Sequence, residues 1–92
     1  MNTTDKAIEH YGAEKQTWKA VEEMGELTQA ICKYQLATDQ MEKELALLGL
    51  REEIADVCIM MEQLRKIYGE ENVDTKIAYK LQRLEKRMGR DK

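Results

Sequence analysis

Six carboxylates in two short runs, Glu22-Glu23-Met24-Gly25-Glu26 and Glu52-Glu53-Ile54-Ala55-Asp56, have the types and spacing to do chemistry. A shift of 30 residues lays positions 20–31 over 50–61, acid on acid and apolar on apolar. At about 100° per residue on a helix, Glu23 and Glu26 lie beside the apolar stripe at the same angular offsets that Glu53 and Asp56 have on theirs. If the chain turns near Asp39, each pair lies about 15 residues from the turn, roughly 22 Å along antiparallel neighbours. The pairs then stand level, Glu23 opposite Asp56 and Glu26 opposite Glu53. Four facing carboxylates in a partly buried place push one another's pKa values up unless a cation lies among them. All-oxygen ligation selects hard Mg²⁺ or Mn²⁺, and the Glu-x-x-His of carboxylate di-iron bundles is missing. Glu22 and Glu52 sit one step round, placed either to hydrogen-bond to the ligands or to be solvated.

The elements that must position these residues are helices. Thr3, Thr4 and Asp5 offer N-cap oxygens for a short helix through about His10, with Gly12 as its end or hinge. Ala20, Met24, Leu27, Ile31 and Tyr34 predict a long amphipathic helix from Ala13 to about Ala37. Thr38 or Asp39 caps a third helix, about Gln40 to Ile67, striped by Leu50, Ile54, Val57, Met61 and Leu64 and closed by Gly69. Val57-Cys58-Ile59-Met60-Met61 is apolar right round, which calls for cover on more than one side. Asn72 or Asp74 starts a fourth helix, with Val73, Ile77, Leu81, Leu84 and Met88 as its apolar stripe and Lys76, Lys80, Arg83 and Arg87 as a parallel basic one.

Composition agrees. Hydrophobic residues make up 42% and charged residues 36%, without Pro or Phe, which suits amphipathic helices. The expected fold is all-α: one domain over 1–92, a four-helix module with two long antiparallel central helices that associates into an oligomeric bundle. A chain this short buries only about 60–65% of its unfolded surface, so a homodimer or homotetramer is expected, joined partly through Val57, Ile59 and Met60. No apolar run approaches the roughly 20 residues of a membrane span and no signal peptide is evident, so no membrane partner and a cytoplasmic location are expected. Cys32 and Cys58 lack CxxC spacing and read as buried free thiols. The net charge of −3 divides into −7 over residues 1–72 and +4 over 73–92, an acidic body with a basic last helix. One basic stripe on an acidic chain argues against nucleic acid as a partner.

The order E-E-x-x-E, helical spacer, E-x-x-D, here Glu22-Glu23-Met24-Gly25-Glu26 and Glu53-Ile54-Ala55-Asp56, resembles the MazG-like all-α nucleoside triphosphate pyrophosphohydrolase superfamily, over about Gln16 to Leu64. The resemblance implies hydrolysis of a (deoxy)nucleoside triphosphate to the monophosphate and pyrophosphate. It also implies that Glu23, Glu26, Glu53 and Asp56 bind Mg²⁺, with Mn²⁺ as the alternative ion. Glu26 and Glu22 are the catalytic candidates for accepting the proton of an attacking water. Gln16 and Lys19 precede Glu23 and Glu26 on the same face and are candidate substrate contacts, the Gln16 amide meeting a nucleobase edge, a buried hydrogen-bond partner within the protein, or solvent at an exposed helix end. Trp18 points elsewhere and reads as a packing residue. Lys80 and Arg83, on the one concentrated basic stripe, are read either as β/γ-phosphate clamps or as part of a solvated face that pairs with the acidic body. The competing expectation is a non-enzymatic helical dimerisation or adaptor module, which accounts for the amphipathic helices but not for the matched carboxylates.

Overall fold

The computed structural model describes residues 2–91 as four helices. They are α1 (Thr3–Tyr11), α2 (Ala13–Leu36), α3 (Gln40–Tyr68) and α4 (Glu70–Arg90). Each junction follows from local chemistry. α1 is capped by Asn2 rather than by the threonines or Asp5, the Asn2 side chain accepting from the Asp5 N–H at 2.9 Å. Gly12, at φ +93°, ends α1 and begins α2 in a conformation that L side chains rarely adopt. Asp39 caps α3, its Oδ1 accepting from the Glu42 N–H at 2.8 Å, while the Thr38 N–H donates back to Glu42. Gly69, at φ +115°, is the whole connection to α4, which therefore starts at Glu70, earlier than the Asn72 or Asp74 expected.

The three-residue connection Ala37–Asp39 folds α2 back along α3, and these two helices make the main packing surface of the molecule. Their seam differs from the expected stripes. On α2 the buried and half-buried positions include Gln16, Ala20, Glu23, Leu27, Ala30 and Tyr34, and on α3 they include Ala46, Leu50, Glu53, Val57, Met60, Leu64 and Ile67. Both series alternate steps of four and three, the a/d spacing of a coiled-coil seam. Met24, Ile31, Ile54 and Met61, expected in the stripes, lie exposed. The seam is turned towards the carboxylates: Glu23 and Glu53 are in it, not beside it.

Register is set by a polar layer. Gln16 Nε2 donates to Gln63 Oε1 at 2.8 Å across the seam, and Gln63, 2% exposed, is itself within reach of the Ile59 carbonyl and Met60 Sδ. Counting ten residues from each glutamine towards the turn brings Glu26 level with Glu53, the pairing the spacing predicts. Truncating one partner leaves a buried amide without its mate. Gln63→Leu should therefore destabilise the protein by about 1–3 kcal/mol, and Gln16→Leu with Gln63→Leu should recover most of the loss, as read by urea unfolding. A double variant no more stable than the single one would show that the pair acts through shape alone.

Lys66 pins α1 to α3, its Nζ lying 2.9 Å from Asp5 and donating to Thr4 Oγ1 at 2.8 Å. Thr17 and Tyr68 share a hydroxyl hydrogen bond of 2.8 Å between the start of α2 and the end of α3. α4 packs against α3 and against no other helix. The molecule measures 43 × 41 × 20 Å with a radius of gyration of 16.7 Å, where a compact chain of this length would have about 12 Å. Among the described residues, the buried apolar ones are Ala20, Ala46 and Met60. Three sequence expectations are corrected by this open shape. Met60 is interior and not free for an interface, although Ile59 is exposed; Cys32 and Cys58 are exposed free thiols, not buried ones; and Trp18, 67% exposed, packs into no core. Among the described residues, no helix is long and apolar enough to cross a membrane.

Candidate metal centre

Small residues let the two helices approach at the level of the acidic runs. Ala20, fully buried, precedes Glu23 on α2, and the buried Ala46 precedes Glu53 on α3. This brings one carboxylate oxygen each of Glu23, Glu26 and Glu53 within 4.8 Å of one another. Glu23 is 8% exposed, Glu53 half-buried and Glu26 exposed, so the cluster opens to solvent on the Glu26 side. Asp56, the fourth predicted ligand, is exposed one turn along α3 and outside this 4.8 Å group, although its charge still acts on Glu53.

The electrostatics are those of acids crowded without enough positive charge. The neighbouring Glu23 charge, then burial, then Glu53 hold the Glu26 carboxyl above the usual carboxylate range. Glu53 is raised first by burial and next by Asp56 and Glu23. Lys19 answers part of the charge, with Nζ 3.3 Å from Glu23 and 3.4 Å from Glu22, and its own pKa is raised, chiefly by its hydrogen bond to Glu23. Among the described residues two atoms remain unanswered: Glu23 Oε2 and Glu53 Oε2 are buried and no donor reaches either. Buried carboxylate oxygens without donors are costly. A cluster of three glutamates in this state is fitted to chelate a hard divalent cation, which would satisfy both oxygens at once.

The other predicted residues are distributed unevenly. Glu22 is exposed beside the cluster and paired with Lys19. Gln16 is buried with its Nε2 committed to Gln63, so the protein interior supplies the partner its amide needs. Lys80 and Arg83 are exposed on α4, where with Leu84 and Arg87 they line a shallow groove of about 260 Å³ made of α4 residues alone. They are not brought to the glutamates within one chain.

Two grooves flank the cluster. One, of about 500 Å³, is lined by Tyr11, Lys15, Gln16, Trp18, Lys19, Glu22 and Met60. The other, of about 490 Å³, contains Glu26 and Glu53 themselves together with Gln29, Ala30, Lys33 and Leu45. Lys33 and Gln29 are absent from the sequence-derived set. Their signal was the spacing of Glu26, Gln29 and Lys33 at i, i+3 and i+7, which continues the acidic face of α2 towards the turn. Comparison of the chain with protein-family models, with curated proteins and with solved structures gives no match.

Proposed function

We propose that this chain is a Mg²⁺-dependent nucleoside triphosphate pyrophosphohydrolase, the activity implied by its resemblance to the MazG-like superfamily. The observation that carries the proposal is the convergence of Glu23, Glu26 and Glu53 with two buried oxygens that lack donors. Glu23 and Glu53 would hold the ion from the seam, Glu26 from the open side, and Asp56 would join them from the next turn of α3. When bound, the ion would neutralise phosphate oxygens and polarise water for attack at the α phosphorus.

The remaining work falls to side chains. Lys33 in one groove and Lys19 beside the other place positive charge on either side of the cluster, suited to hold the phosphate chain in line for displacement. Glu26, exposed on the open side of the cluster, and Glu22 beside it are the candidates to take the water's proton. Water oxygen bonds to the α phosphorus, the bond to the bridging oxygen breaks, and pyrophosphate leaves. Lys80 and Arg83 could serve as phosphate clamps only from a second copy's α4.

The deciding experiment is incubation with each nucleoside triphosphate and Mg²⁺. Monophosphate plus pyrophosphate is expected, and diphosphate plus phosphate would refute the proposed bond cleavage. The exposed apolar faces favour a second reading, a non-enzymatic association module, which absence of turnover together with weak metal affinity would select.

A further inference from the structure

Gly49 stands in the interior of the 29-residue α3, where glycine is the least favourable residue after proline. Among the described residues, nothing in the packing demands it. Its backbone is ordinary helix, unlike Gly12 and Gly69 with their positive φ, and an added Cβ would meet no atom within 4 Å. A half-buried glycine that neither backbone nor neighbours require leaves open space, and that space belongs to the groove that holds Glu26 and Glu53.

This groove changes character along its length. At one end stand Glu26 and Glu53, where a cation would be held; Gln29 and Lys33 follow on α2, and Ala30, Ala46 and Gly49 line it without bulk. Past Lys33, Leu45 and Ala46, which line both, it continues into a groove of about 480 Å³ that reaches Leu36, Ala37 and Glu42 at the turn. Glu42 is occupied there, accepting from the Thr38 N–H and hydroxyl, so the turn end is chiefly apolar. From Glu26 to Leu36 the rise of α2 is about 15 Å. Charge at the cluster end and apolar surface at the turn end match the order of a nucleotide, whose phosphates meet the metal and whose base prefers an apolar wall. Lys33 stays with the phosphate end, because helical side chains lean towards the N-terminus and hence towards Glu26. The groove on the other side of the cluster holds Lys15 and Lys19, which suits it to phosphates rather than to a nucleoside.

We propose that the groove running from Glu26 and Glu53 towards the turn seats the nucleoside end of the triphosphate, and that Gly49 is the residue that keeps this seat open. The inference rests on the pyrophosphohydrolase reading and adds to it which side of the cluster takes the nucleoside. A side chain at position 49 would lean over Leu45 and Ala46, in the middle of the groove and away from Glu53 one turn on. Gly49→Leu therefore fills the seat and leaves the glutamates as they are. Stability and nucleotide binding should then move in opposite directions, since a good helix former replaces glycine inside a helix. Gly25 supplies the control: it is exposed on α2, outside this groove, and an added Cβ there would likewise meet no atom within 4 Å.

The test is calorimetric titration of the full chain, with Mg²⁺ present, by inorganic tripolyphosphate and by the α,β-methylene analogues of the common deoxynucleoside triphosphates, which cannot be cleaved at the bond in question. The parent is expected to bind at least one analogue more tightly than tripolyphosphate. Gly49→Leu should weaken that analogue at least about 10-fold, keep the parent's affinity for tripolyphosphate and for Mg²⁺ alone, and melt higher by roughly 4 °C. Gly25→Leu should also melt higher and bind every probe as the parent does. The seat would be overturned, with the triphosphate reading left standing, by any of four results: Gly49→Leu binding the analogue as the parent does; equal losses for analogue and tripolyphosphate; a lower melting temperature for Gly49→Leu; or a parent that holds the analogue no more tightly than tripolyphosphate, as it would if a second copy covered the groove. A parent that binds Mg²⁺ but neither phosphate compound would refute the pyrophosphohydrolase reading itself, and the seat with it.

Discussion

Glu53→Gln should lower triphosphate turnover at least about 100-fold while leaving the helical circular dichroism unchanged. Loss of a residue that merely orients a metal ligand already costs about 10- to 100-fold, so loss of a ligand should reach the upper end or beyond it. Glu53 is the informative position because its environment opposes charge from two directions, burial first and then Asp56 and Glu23. Its Oε2 has no donor to lose, so the neutral amide breaks no hydrogen bond at that atom. The substitution removes one of the mutually repelling charges, and the metal-free variant should melt no lower than its parent. Loss of turnover together with a collapse of helical signal would make Glu53 a structural residue. Retained turnover would remove the glutamate cluster from the chemistry.

The helices were legible in the chain because each signal was local. Caps, glycines and apolar spacing located the four elements to within a few residues; the cap of α1 moved to Asn2, and the start of α4 moved furthest, since a lone Gly69 at positive φ caps two helices where an Asn or Asp was expected. The rotation of α2 against α3 was not legible. Periodicity marks a face about 100° wide but does not say which edge of it packs first, and Met24 and Glu23, or Ile54 and Glu53, are single steps apart. The choice is made by what meets across the seam, where Gln16 finds Gln63 and Ala20 and Ala46 allow close approach. That rotation buries Glu23 and Glu53, leaves Asp56 outside the tight group, and frees Met24 and Ile54 for another surface. For α4, sequence predicted a basic amphipathic helix, which the structure has. Where its face goes depends on the joint at Gly69 and on Arg65 of α3, whose guanidinium donates to Asp74 of α4, and no helix-wide pattern encodes that.

The same crowded carboxylates make a cation and protons competitors, and the competition has a definite sign. Glu26 and Glu53 have folded-state pKa values above the ordinary 4.5, so between the unfolded and folded values the folded chain holds more protons than the unfolded one. Stability from this source is fully present below the unfolded pKa and is lost as pH rises through the folded pKa. Asp5, lowered chiefly by its hydrogen bond to Lys66, and Glu62, lowered chiefly by Arg65, act oppositely and lose their contribution as pH falls through their depressed values. The metal-free protein should therefore gain stability on acidification from neutral pH into the raised window of Glu26 and Glu53, and lose it again further down. Mg²⁺ binds the ionised cluster. At neutral pH and a concentration 100 times its dissociation constant it should stabilise the fold by about 2.7 kcal/mol, and this increment should shrink as the pH drops through the same window, because protons then occupy the ligands. Thermal unfolding with and without Mg²⁺ across that range measures both slopes. In Glu53→Gln the metal increment should largely vanish at every pH. An increment independent of pH, or one that survives the substitution, would mean that the cation stabilises the chain somewhere other than between Glu23, Glu26 and Glu53.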